Sequence, residues 1–393
     1  MLAYHSSNPE SCANEVGKVW KAVWGYLDSD DAQTRKAAIK SIDCLCRCFT
    51  PSMVSSAIDD GEGKSTLRKA VAQVDKAIDS LAYARAVPEV LAVVSSMTMN
   101  LSYRPQGRGS PTAAESLLLP LIVKVGEMRT SKGFEHKEKA DAMLATAMQT
   151  LGPEDLLKIL PLNLEPIDKW VDSDHREHSL TGIRQAGREP RAYLLPLLSQ
   201  PHPSSLKHFV SYFVPLSERL FDLRQKAETE GRQSEAKVWS VLVAQIWTGL
   251  AAYCLGSPDL KEVLYSLLIL EHRLTTLKSL TPAFSQLLSN LLYTQSELRP
   301  SVLKAFKVMI ESNIALASPA KEKNELLNAT PNISPEEAAA NIENLRTQAE
   351  SWLAVFFNVF SSVKPGSRGM VAEVIKAWAS IMNPQVSGVF GQT

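Results

Sequence analysis

Three places in this 393-residue sequence combine side chains that could do chemistry. Asp172, Asp174, His175, Glu177 and His178 crowd one short polar stretch. Two imidazoles three residues apart can share a helical turn, and with carboxylates beside them they form a donor set for a borderline metal ion. Cys44, Cys46 and Cys48 alternate along the chain. On a helix Cys44 and Cys48 share a face while Cys46 points away. A zinc site needs four converging ligands, and no second cluster is spaced to supply them, so buried structural thiols are expected there. Gly63-Lys64-Ser65 matches the end of a phosphate-binding loop, but Ile58 stands where that loop needs its first glycine, and no strand precedes it. The chain has no GxSxG elbow, no HExxH and no glycine-rich dinucleotide loop. The 172–178 cluster is expected to be a solvated charged loop; a metal-dependent enzyme built on it is the least supported reading. No catalytic, cofactor-binding or metal residue is therefore assigned, and no cofactor is expected.

The elements that would carry these residues are helices. Ser or Thr followed by Pro recurs at Thr50-Pro51, Ser110-Pro111, Ser257-Pro258, Thr281-Pro282 and Ser334-Pro335. Such a hydroxyl caps free N–H groups, and proline loses nothing at the first helical position. Ser334-Pro-Glu-Glu337 adds the acid of a capping box. No bounded run of period-2 alternation is present, so the fold class is all-α.

The helices repeat as hairpins. With Arg35, Arg299 and Arg368 as anchors, the downstream positions are Ala38, Ile42 and Leu45, then Val302, Phe306 and Met309, then Val371, Ile375 and Trp378. Upstream at constant offsets stand Trp20, Val23, Trp24 and Leu27, then Phe284, Leu287, Leu288 and Leu291, then Leu353, Phe356, Phe357 and Phe360. Both sets have 3.6-type spacing, and the short turns DSDDAQT, YTQSEL and SSVKPGS separate them. DSDDAQTRKAA resembles the turn and second-helix start of a HEAT repeat. The expected architecture is a HEAT/ARM-like α-solenoid, a right-handed superhelix of stacked helical hairpins, because one such hairpin cannot bury its apolar face alone. Trp378 and Phe306 should be core knobs in equivalent layers. Divisions are expected at 1–102, 103–260 and 261–393 within one continuous solenoid. Four prolines flanked by leucine or valine, Pro120, Pro161, Pro196 and Pro215, should mark bends or helix ends in packed layers.

Composition bounds the function. Lysine plus arginine balances aspartate plus glutamate at 42 each, which argues against a surface that is one nucleic-acid footprint but leaves local basic faces open. No stretch is long and apolar enough to suggest a membrane span, the N-terminus lacks a secretory pattern, and five cysteines do not make a disulfide framework. Cytosol or nucleus is the expected compartment.

Residues 155–260 carry a resemblance. DLLKILPLNLEP, GREPRAYLLPLLSQ, LKHFVSYFVPLSERL and EAKVWSVLVAQIWTGLAAYC follow one another in this order. They resemble the central region of the ribosomal RNA-processing protein 12 family of nucleolar HEAT-repeat proteins, through Leu160-Pro-Leu-Asn163, Tyr193-Leu-Leu-Pro-Leu197, His208-Phe209, Tyr212-Phe213, Pro215-Leu216 and Gln245-Ile246-Trp247. The sequence departs from the pattern by placing Arg-Glu-Pro-Arg before the aromatic. The resemblance implies a non-enzymatic assembly factor for the small ribosomal subunit, in nucleus and nucleolus with shuttling to the cytoplasm. Its implied partners are pre-ribosomal RNA, ribosomal and assembly proteins and the nuclear transport machinery, with no membrane and no small-molecule substrate. Members are usually longer, so this chain is expected to be partial. The alternative is a karyopherin-like HEAT adaptor that binds only proteins. An RNA or acidic partner would meet Lys40, Lys304, Lys307 and Lys376, which fall opposite the core positions of their helices with Asp43 and Glu373 interrupting them, or the arginines Arg176, Arg184, Arg188 and Arg191.

Overall fold

Helices begin in this chain where the sequence offers an acceptor for their free N–H groups. The Asn8 side chain accepts from Ser11 N, Asp31 from Gln33 N and Thr34 N, Thr50 from Met53 N, and Ser65 from Arg68 N. Thr112 with Glu115 and Ser334 with Glu337 form complete capping boxes. Ser110-Pro111 does not start its helix: Thr112 does, two residues on. Ser257 does not cap one either; its hydroxyl donates to the Asp259 carboxylate at 2.6 Å. That carboxylate also accepts from Leu206 N at 2.8 Å and Lys207 N at 2.7 Å, so Asp259 caps a helix far away in sequence. Thr281-Pro282 lies outside the described residues. The computed structural model describes residues 1–107, 109–164, 189–203, 205–263, 284–317 and 333–382.

The chain divides into two units, Met1–Leu194 and Leu195–Thr393. The expected divisions after 102 and 260 fall inside them. Among the described residues neither unit contains a strand. The first holds α1 (Leu2–Ser7), α2 (Pro9–Trp24), α3 (Ala32–Cys46), α4 (Pro51–Asp59), α5 (Thr66–Asp79), α6 (Val87–Asn100), α7 (Ala113–Thr130), α8 (Lys137–Leu151) and α9 (Pro153–Ile159). Helices α2 and α3 pair, α3 packs on α6, and α6 and α7 pack on α8. The second unit holds α10 (Leu206–His208), α11 (Val214–Thr229), α12 (Gln233–Tyr253), α13 (Phe284–Thr294), α14 (Arg299–Ala317), α15 (Pro335–Ser362) and α16 (Arg368–Ala379). Here α11 pairs with α12, α12 packs on α14, and α14 packs on α13, α15 and α16. The architecture is all-α, of the HEAT solenoid type, and the three hairpins expected from the sequence are α2/α3, α13/α14 and α15/α16.

The hairpin positions are buried with few exceptions. Ala38, Ile42, Leu45, Val302, Phe306, Met309, Val371 and Trp378 are in the core, as are Trp20, Trp24, Leu27, Phe284, Leu288, Leu291, Leu353 and Phe356. Val23, Leu287, Ile375 and Phe360 are half-buried, and Phe357 is 37% exposed. Phe306 and Trp378 do more than occupy equivalent layers. Their rings lie 5.8 Å apart, they share a cluster with Trp352 and Phe356, and the Trp378 indole donates to the Phe306 carbonyl at 3.2 Å.

The anchor arginines tie the two helices of a hairpin together. Helix C-termini leave carbonyls without partners. The Arg35 guanidinium donates to the carbonyls of Ser29 at 2.8 Å and Asp30 at 3.1 Å, just past the first helix of its hairpin. Arg299 Nε does the same to Leu292 O at 2.7 Å. The third anchor, Arg368, lies 5.5 Å over the Phe360 ring instead.

The four prolines take different places. Pro120 sits inside α7, Pro161 follows the end of α9, and Pro196 sits inside a 3-10 segment, Ala192–Ser199. Pro215 stands in the first turn of α11, directly after a π-helical turn, Phe209–Phe213. A π turn spaces its hydrogen bonds five residues apart, which suits a ring that cannot donate one and crowds the carbonyl four residues back. Two of the leucine-rich segments press against glycines. A Cβ on Gly126 would stand 2.6 Å from a Leu160 methyl, and one on Gly249 would stand 2.8 Å from Leu198 Cβ. Asn163, which closes the Leu-Pro-Leu-Asn element, adopts φ 49°, a left-handed conformation that asparagine tolerates better than most residues.

Candidate partner-binding surface

The residues expected to meet a partner are placed unequally. Lys40 on α3, Lys304 on α14 and Lys376 on α16 are exposed and carry no ion pair among the described residues. Lys307 is half-buried, 3.0 Å from Glu373 and 3.7 Å from Glu311. Those carboxylates, Glu373 above all, hold its ammonium above the usual lysine range, and Lys307 holds Glu373 below the usual carboxylate range. Its charge is spent within the chain. Lys40 belongs to the first unit and the other three lysines to the second.

Arg191 is a correction to the expected set. It is 7% exposed, its backbone N–H donates to Leu162 O at 2.8 Å, and its guanidinium donates to Pro161 O at 3.0 Å. It fastens the Leu-Pro-Leu-Asn segment to the residues before Tyr193 and offers no charge to solvent. Tyr193 continues that seam: its hydroxyl donates to Gly126 O at 3.3 Å, and Arg129 lies 4.5 Å over its ring. Arg176, Arg184 and Arg188, with the cluster Asp172, Asp174, His175, Glu177 and His178, lie outside the described residues.

The Gly63-Lys64-Ser65 stretch is a turn and a helix cap. Lys64 pairs with Glu62, and the Asp60 carboxylate accepts from the backbone of Glu62 and Ser65. The Ser65 amide holds Asp60 below the usual carboxylate range.

A basic surface that the sequence did not reveal lies along α2 and α5. A cleft of about 440 Å³ is lined by Trp24, Lys69, Gln73, Lys76 and Tyr83 among others. A second, of about 320 Å³, is lined by Trp20, Lys21, Phe49, Lys69 and Gln73 among others. Lys69 and Gln73 border both. Lys21, Lys69 and Lys76 are exposed and have no carboxylate partner among the described residues. The acids of α5 are drawn elsewhere: Asp75 and Asp79 both bind Lys124 of α7. Gln73 accepts from the Trp20 indole at 3.2 Å, and the Trp24 indole donates to Tyr83 Oη at 2.9 Å. The result is a trough with apolar walls and three free ammonium groups on its rim. Such a rim fits a chain of phosphates, or another extended anion. Lys69, Gln73 and Lys76 share one helical face, which was the available signal; Lys21 joins them only through the α2/α5 packing.

The cysteines are mostly buried. Cys12, Cys46, Cys48 and Cys254 are in the core and Cys44 is half-buried. Burial pushes the Cys46 and Cys254 thiols far up, with Asp43 adding to the effect at Cys46 and Asp259 at Cys254. Burial also pushes Cys48 up to about 11. Without a bound ion, these three thiols stay protonated at physiological pH.

Comparison with known proteins agrees with this architecture. A family model described as "Ribosomal RNA-processing protein 12, HEAT repeats" matches residues 28–363. The chain is 26% identical over 381 residues to "Putative ribosomal RNA-processing protein 12" of Schizosaccharomyces pombe, covering 96% of this chain and 28% of the relative. It is 26% identical over 395 residues to "Ribosomal RNA-processing protein 12" of Saccharomyces cerevisiae, covering 98% and 28%. It is 21% identical over 370 residues to "RRP12-like protein" of Homo sapiens, covering 92% and 24%. The chain thus spans about 28% of the length of the two yeast relatives.

Proposed function

This chain belongs to the ribosomal RNA-processing protein 12 HEAT-repeat family, and from that premise we propose that it is a non-enzymatic scaffold of ribosome biogenesis in the nucleolus and nucleus. In this reading it holds precursor ribosomal RNA of the small subunit beside assembly proteins, and supports processing and export of the particle. The names of the two yeast relatives support ribosomal RNA processing as its setting. The observation that carries the RNA contact is the trough rimmed by Lys21, Lys69 and Lys76, three lysines on one surface with no carboxylate partner among the described residues, in a chain whose charges balance overall. Lysines act on phosphates as point charges, so the contact is sequence-tolerant and depends on salt.

The test is a titration of single-stranded RNA binding against salt. Changing Lys21, Lys69 and Lys76 together to glutamate should flatten the dependence of log affinity on log salt by about 2–3 units, since each phosphate contact contributes roughly 0.7–0.9. Reversing Lys40, Lys304, Lys307 and Lys376 in parallel should change the slope less, because none of the four lines either cleft. Circular dichroism confirms that both variants fold. An unchanged slope in the first variant would remove the trough from the RNA path. An absence of RNA binding by the parent protein would favour an adaptor that contacts proteins alone.

A further inference from the structure

The sequence placed no partners beside Cys48, but the fold does. Cys12 opens α2, Cys48 follows the end of α3, and His5 lies on α1. Their ligand atoms, two thiol sulfurs and one imidazole nitrogen, all lie within 4.8 Å of one another. Cys12 and Cys48 are 0% exposed and share a small apolar cluster with Val16, against which Phe49 and Met53 pack. The Cys12 thiol donates to Met1 O at 3.8 Å and the Cys48 thiol to Cys44 O at 3.2 Å, and the two thiols also interact with each other. A second observation is that His5 Nδ1 is buried and has no hydrogen-bond partner among the described residues. A buried ring nitrogen without a partner is costly, and a positioned one beside two thiols matches a ligand set.

We infer that His5, Cys12 and Cys48 form a zinc site that clamps α1 onto the α2/α3 hairpin. Zinc holds sulfur at about 2.3 Å and imidazole nitrogen at about 2.0–2.1 Å, so tetrahedral ligand atoms stand about 3.5–3.8 Å apart. Separations of up to 4.8 Å must close by about 1 Å to reach that spacing, which side-chain rotation at the three ligands supplies. Two thiolates and an imidazole select zinc over calcium or magnesium, which take oxygen ligands. Binding moves no electrons: each thiol gives its proton to solvent, and the thiolates neutralise the ion. A water molecule would complete the four-coordinate shell. The hairpin explains why the sequence hid the site. Cys44, Cys46 and Cys48 look like a cluster but diverge, whereas the ligands of Cys48 arrive from two other helices.

The test uses the full chain, reduced and stripped with a chelator, with cobalt(II) as a spectroscopic probe and zinc as competitor. One cobalt per chain should bind with thiolate-to-metal charge-transfer absorption, and zinc should displace it. Cys12→Ser should remove most of that absorption. His5 is at the surface end of the site, so His5→Ala should fold as the parent does yet weaken zinc binding about tenfold or more, as loss of even an outer partner does. Absence of the charge-transfer band, zinc affinity unchanged in His5→Ala, or a Cys12–Cys48 disulfide in protein purified with its thiols trapped would overturn the assignment.

Discussion

Replacing Trp378 by alanine will destabilise the helices around α14–α16 by about 3–5 kcal/mol, the range for truncating a large buried aromatic. Trp378 is 0% exposed and touches Phe306, Trp352 and Phe356 at centroid separations of 5.8, 6.2 and 5.8 Å. The mutation opens a cavity where α14, α15 and α16 pack together. It also takes the indole N–H from the buried Phe306 carbonyl. Trp378→Phe should cost less, because it keeps most of the contact area and loses chiefly the hydrogen bond. Chemical denaturation measures the loss. Hydrogen exchange of α14–α16 locates it, since a stacked array can open locally. A loss within about 0.5 kcal/mol, the ordinary range for surface positions, would mean that Trp378 is no core knob.

Acid will weaken the second unit through His202. This histidine is 4% exposed, and its ring lies 4.6 Å from Tyr253, within an aromatic cluster that includes His208 and Phe209. Its pKa is lowered from 6.5 to about 4, by burial more than any other influence, with the nearby His208 adding to the effect. The folded form therefore resists a proton that the unfolded chain accepts. Stability from this residue is complete above pH 6.5 and is lost as pH falls toward 4. A shift of that size is worth about 3 kcal/mol at pH 4. Carboxylates titrate in the same range, so the informative quantity is the difference between the parent and His202→Gln across pH 7 to 4. The variant should be less stable at pH 7 and should lose less stability on acidification. Parallel curves would mean that His202 titrates normally in the folded chain.

The helices were legible because their signals are local. Caps such as Thr50 and Ser334, and apolar spacing near 3.6, depend on residues within one or two turns. Phe357 shows the limit: Phe356 and Phe357 sit about 100° apart on the helix, and a one-sided stripe buries only the first. The anchor arginines were visible as markers, but not their work on the carbonyls of Ser29, Asp30 and Leu292, which needs the turn geometry. The candidate sites were the least legible. Lys307 looked free until Glu373 arrived from a neighbouring hairpin, and Arg191 looked exposed until packing buried it and its guanidinium donated to the Pro161 carbonyl. Lys21 meets Lys69, and His5 meets Cys48, only through packing between helices that no periodicity encodes.

We propose that this helical stack holds precursor ribosomal RNA. Sedimentation of the tagged chain from growing cells, with the RNA in each gradient fraction identified by sequencing, is the direct test. The expected result is comigration with small-subunit precursor RNA, released by nuclease and diminished in the Lys21, Lys69 and Lys76 charge-reversal variant. Sedimentation with proteins alone, indifferent to nuclease and to those three lysines, would contradict it.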